Sequence, residues 1–130
     1  MISPAQDQLL DLIRSAGEGV ASEFVSAVEA LRPKTQIERA IVAAILTAAE
    51  RHGLAAVRAG VDELRALLDG KMPSTAEMLM LSPVSRSDFL AALQLEEMGR
   101  DSVRRYIDTA GTVLGRVLGV VGRIALASVV

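Results

Sequence analysis

The chain has 130 residues, a net charge of −2, 51% apolar residues and a mean hydropathy of +0.37, enough for one core and too little for two. It has no cysteine, which excludes a disulfide scaffold, a thiolate nucleophile and a zinc–thiolate site and fits a reducing compartment. Aromatics make up 2% of the residues, one Tyr and two Phe, so the stacking platforms that hold single-stranded nucleic acid are missing and Ala, Leu and Val must fill thin, close-packed helices.

The first residues, Met1 to Asp7, carry no basic stretch and do not read as a secretory signal. Ser3-Pro4-Ala5-Gln6 puts a capping serine, a proline at the first helical position and a glutamine at the third. An apolar stripe follows through Leu9, Ile13, Ala16, Val20, Phe24, Val28 and Leu31, with Gly17 and Gly19 inside it and Pro33 ending it. Thr35-Gln36-Ile37-Glu38 is a second capping box, and Ala40 to Leu46 is apolar on every side. That run is too short to span a bilayer and predicts a central buried helix, stopping near His52-Gly53.

Leu54, Val57, Val61, Leu64, Leu67 and Leu68 give the next stripe, and Gly70 stops it. Ser74-Thr75-Ala76-Glu77 is a third capping box, opening a short helix through Leu81. Ser82-Pro83 breaks the chain there, and Ser85 with Asp88 opens another helix to about Met98, closed by Gly99. The last helix starts near Asp101. Nothing alternates with period two over strand length, and no repeat or low-complexity linker occurs.

Charge is uneven along the chain: residues 71–99 carry four acids and two bases, whereas 100–130 carry five arginines and two acids. An acidic body with a basic, apolar tail suggests head-to-tail self-association or an anionic membrane surface. The tail is the most distinctive segment. Gly111, Gly115, Gly119 and Gly122 recur at helical spacing within Val, Leu and Ile. Asp101, Arg105, Asp108, Thr112, Arg116, Gly119 and Arg123 form one narrow polar stripe, with Val103, Tyr106, Ile107, Ala110, Leu114, Val117, Val121 and Ile124 roughly opposite. The other glycines let a neighbouring backbone approach closely. As a lone membrane span, Thr112–Val130 is marginal, because ten Val, Leu or Ile residues nearly balance two arginines.

Chemistry finds little purchase. His52, the sole histidine, sits at a predicted helix end where a cation complements the dipole. Asp62-Glu63 and Glu96-Glu97 are sequence neighbours that do not share a helix face, so solvated surfaces account for both pairs. Gly70-Lys71 lacks the glycine spacing and the Ser/Thr of a phosphate loop. Thr47 to Leu54 resembles the first helix and turn of a helix-turn-helix, with Arg58 and Arg65 on the supposed recognition helix, but residues 34–70 are charge-neutral. Met72, Met78, Met80 and Met98 read as core.

The expectation is an all-α bundle of five to six helices: a body over 1–99 and an apolar Gly/Arg helix over 100–130 that packs on it or projects. The first functional expectation is a non-enzymatic structural or assembly protein without cofactor, metal or small-molecule substrate. It would work through helix contacts with itself or another helical protein, in the cytoplasm or within a particle, and virion-type assembly is compatible. Its packing residues would be Gly111, Gly115, Gly119, Gly122, Tyr106, Leu114, Val117, Leu118 and Val121. A membrane-active protein is the alternative, with Arg105, Arg116 and Arg123 meeting phosphates or a lumen. A helix-turn-helix regulator is the third reading, with nucleic acid the least favoured partner. No family resemblance emerges from the residues.

Overall fold

The structure, a computed structural model, describes the backbone of residues 18–53, 56–71 and 80–129 and the side chains of 25–53, 56–71 and 80–118. The described residues are all-helical, in five elements with no strand. These are α1 (Glu18–Leu31), α2 (Gln36–His52), α3 (Ala56–Leu68), α4 (Pro83–Gln94) and α5 (Arg100–Val129). The predicted start at Ser3-Pro4, the third capping box with Met72 and Met78, and Leu54 lie outside the described residues.

Helix α2 is central. Ile37, Ile41, Val42, Ala44, Ile45, Leu46, Ala48 and Ala49 are all buried, only a narrow face through Arg39, Ala43 and Thr47 is less covered, and α3, α4 and α5 pack around the helix. Its N-terminus is the predicted capping box. The Thr35 hydroxyl accepts the Glu38 N–H at 3.2 Å and the Glu38 carboxylate accepts the Thr35 N–H at 2.9 Å. Burial works to raise the Glu38 carboxyl, but hydrogen bonds from the Thr35 N–H and hydroxyl and from Lys34, with the Lys34 charge, hold it below the usual range. The helix ends at Gly53, whose φ of +94° would strain any residue with a Cβ.

Two boundaries differ from the sequence reading. Helix α4 opens at Ser82, not Ser85: the Ser82 hydroxyl accepts the Ser85 N–H at 3.0 Å and Pro83 occupies the first helical position. Ser-Pro reads equally as a break or a start, and here it is the start. The same helix ends at Gln94 rather than Met98, because Glu96 turns left-handed at φ +51°.

Helix α5 closes the core. Val103, Ile107, Ala110, Leu114 and Leu118 are at most 1% exposed and pack on α1, α2 and α3. Met80 and Met98 pack at the core's edge, and Met98 Sδ accepts the Thr35 hydroxyl at 3.4 Å.

Replacing Thr35 by Ala should cost about 1 kcal/mol, since the Glu38 N–H in the first turn of the most buried helix loses its partner. Chemical denaturation checks this. A Thr35→Ser variant should retain most of the stability, because its hydroxyl reaches the same N–H.

Candidate functional site

The described surface offers two features, a seam where α3 meets α5 and an apolar stripe on α4. The seam is an antiparallel ladder. Arg104 pairs with Asp69, and Arg65 donates from Nε to Asp108 at 2.8 Å while its Nη1 meets Asp62 at 2.9 Å. Next come Val61 against Gly111 and Val57 against Gly115. Residues 57, 61, 65 and 69 form one ridge of α3, and 104, 108, 111 and 115 form the facing row of α5.

The first two sequence-predicted glycines therefore admit a helix of their own chain. A Cβ at Gly111 would fall 2.6 Å from Val61 Cγ2, whereas one at Gly115 would sit 3.7 Å from Val57 Cγ1. Leu114 and Leu118 are enclosed in the chain's own core, and Val117 packs on its edge. Tyr106 is half-buried, and its hydroxyl donates to the Leu31 carbonyl at 3.2 Å, satisfying a carbonyl at the end of α1. Burial, with the Glu38 charge adding to it, pushes the phenol far above its ordinary pKa, so it stays a donor. Gly119, Val121, Gly122 and Arg123 lie on α5 beyond the described side chains.

Beside the seam is a cleft of about 450 Å³ lined by Arg58, Arg65, Asp108, Gly111, Thr112 and Gly115 among others. Arg65 is committed to two carboxylates within it. Arg105 and Arg116 are exposed on the other side of the α5 polar stripe, with Arg105 lining a groove against α1 beside Tyr106, Thr109 and Val113. Arg105 and Arg116 line no common cavity among the described residues.

Sequence reasoning missed Glu63. Expected on a solvated face, it is 4% exposed. The reason is its register: Gly60, Glu63, Leu64 and Leu67 share the buried side of α3, and Gly60 lets Ala48 and Leu81 approach to within 3.4 and 3.7 Å of where a Cβ would lie. The stripe of Gly60 and Leu67 bracketing Glu63 was the available signal. Glu63 Oε1 accepts the Leu81 N–H at 3.3 Å, and Arg86 Nε stands 3.6 Å from Oε2, with neither of these last two atoms hydrogen-bonded. Burial pushes the Glu63 carboxyl up, against the opposing pull of the Leu81 N–H, the Arg86 guanidinium and the Met80 N–H. This carboxylate ties the chain leading into α4 to α3.

Sequence reasoning also missed the α4 surface. Phe89 and Ala92 are buried against the core, yet Val84 is 69% and Leu95 54% exposed. With exposed Ala91 between them they form one stripe, at i, i+7 and i+11, and Leu90, also exposed, lies to one side.

Among the described residues no group of three or more His, Cys, Asp or Glu is placed to hold a metal ion, and no helix is long and apolar enough to cross a membrane. No protein-family model, curated protein or solved structure matches the chain.

Gly111→Ala should destabilise by about 1–2 kcal/mol: overpacking against the stiff Val61 outweighs the gain in helix propensity. Gly115→Ala, with ordinary contact distances, should stabilise by up to about 1 kcal/mol. Val61→Ala combined with Gly111→Ala should cost less than the sum of the two single changes, read by denaturant midpoints. For Glu63, a folded-state pKa above the unfolded one adds stability that is full below the unfolded pKa and is lost as pH rises through the folded pKa. Glu63→Gln keeps an acceptor for Leu81 and removes that ionisation. Its Tm relative to the natural protein should therefore climb from about pH 4 to pH 8; a constant difference would disprove the linkage.

Proposed function

We propose that this chain is a non-enzymatic assembly protein that works through helix–helix contacts between copies of itself, in a homo-oligomer or larger particle. The observation that carries the reading is the α4 stripe of Val84, Ala91 and Leu95, exposed on a helix whose other side is packed. Val84, Ala91 and Leu95 share their face with Asp88, and exposed apolar side chains gathered on one face mark a contact surface where scattered single ones do not. On α5, Val103, Ile107, Ala110, Leu114 and Leu118 already serve the chain's own core.

The membrane alternative draws on exposed Arg105 and Arg116 beside half-buried Val113 and Val117, a basic apolar surface suited to anionic lipid. The nucleic-acid reading draws on less, since Arg65 of α3 is neutralised by Asp62 and Asp108.

Light scattering after size exclusion tests the proposal on the full chain. An oligomer is expected, and Val84→Arg with Leu95→Arg should disperse it while leaving the chain helical by circular dichroism, because both side chains are exposed. A monomer at every concentration would overturn the assembly reading, and flotation with anionic vesicles would then favour the membrane one.

A further inference from the structure

The exposed stripe on α4 has a chemical polarity. Asp88 lies within it, beside Val84 and Ala91, and Glu96 and Glu97 stand at its end; all three acids are exposed. The sole base of α4, Arg86, is turned inward toward Glu63. The surface is thus apolar with an acidic margin. Two such faces meeting each other would set carboxylates against carboxylates, which opposes self-pairing of α4.

A complementary face exists on the same molecule. Along α5, Arg105, Thr109, Thr112 and Arg116 form the exposed stripe, with half-buried Val113 and Val117 beside it. Asp108, on the seam side, is taken up by Arg65. Arg105 pairs with no acid among the described residues and reaches only Ser102, at 3.5 Å. Arg105 and Arg116 are eleven residues apart, about 16 Å along a helix. Asp88 stands within α4 and Glu96 just past its end, so the acids, like the arginines, lie at two separate points of their face. Val84 and Leu95 have the same eleven-residue spacing as the two arginines.

We infer that α4 of one copy receives the Arg105–Arg116 stripe of α5 of a second copy, a head-to-tail contact between two different faces. This rests on the assembly reading and names its partner surfaces. If two copies exchange the contact reciprocally the product is a two-fold dimer; if each copy offers its two faces to different neighbours, the product is a closed ring or a filament.

The test uses two charge-reversed forms of the full chain in size exclusion with light scattering. Asp88→Arg with Glu96→Arg makes both faces basic; Arg105→Glu with Arg116→Glu makes both acidic. Each alone should weaken association at least about a hundredfold, as like-charge juxtaposition does. An equimolar mixture should restore the assembly, since every basic face then meets an acidic one. All four substituted positions are exposed, and an unchanged helical circular dichroism spectrum verifies folding. If the natural chain assembles and Arg105→Glu with Arg116→Glu leaves it intact, or the mixture fails to restore it, this contact is wrong while the assembly reading stands. If the natural chain never assembles, both fall.

Discussion

The close approach of α5 to α3 at Gly111 is the constraint on which the bundle depends. With Val61 Cγ2 occupying the space where a side chain would start, the two helices can slide or rotate little against each other. The rungs on either side of this contact repeat at intervals of three and four residues, so the register is fixed at one point and read out at several. Below it, Arg65 with Asp108 and Arg104 with Asp69 align charges across the seam; exposed pairs like these add little energy and serve mainly to mark the register. The interior side of the same helix presents Ile107, Ala110 and Leu114 to α2 and its neighbours. One steric fit thus sets how α5 delivers both its buried row and its exposed arginines.

Glu63 introduces the opposite kind of constraint. A carboxylate withdrawn from water costs free energy that the 3.6 Å separation from Arg86 offsets incompletely, since neither facing atom is hydrogen-bonded. What it supplies is position: its other oxygen holds the Leu81 N–H, one residue before the Ser82 cap of α4. The direction in which α4 leaves the core, and hence where Val84 and Leu95 emerge, is set through a polar contact in an otherwise apolar layer.

Much of this was legible in the sequence because it is local. The Thr35 capping box, the all-round apolar run of α2, and the stops at Gly53 and Gly70 (φ +71°) follow from side-chain and backbone preferences within a few residues. The inward row of α5 followed equally from periodicity. What periodicity lacks is the partner. Four glycines announce a close neighbour without naming it, and Val61, fifty residues upstream of Gly111, carries no mark of being that neighbour. Glu63 was misassigned because its charge outweighed its register, and the α4 stripe was passed over because Val84 and Leu95 look like ordinary core residues until the opposite face, with Phe89, is seen to be taken. Ser82-Pro83 is ambiguous by nature, since the same pair ends one helix or starts another.

The antiparallel seam also bears on how the chain reaches its native state. Arg65 and Asp108 are forty-three residues apart, Asp69 and Arg104 thirty-five, whereas α2 and α3 are joined by a few residues. Closing α5 onto α3 spans a longer loop than pairing α2 with α3, and so carries the higher loop entropy. During synthesis the apolar surface that Ile107 and Leu114 later cover has no partner until α5 has been made. Nascent copies on neighbouring ribosomes present that uncovered surface to one another, so the interval before α5 docks is the period of greatest exposure to mispairing.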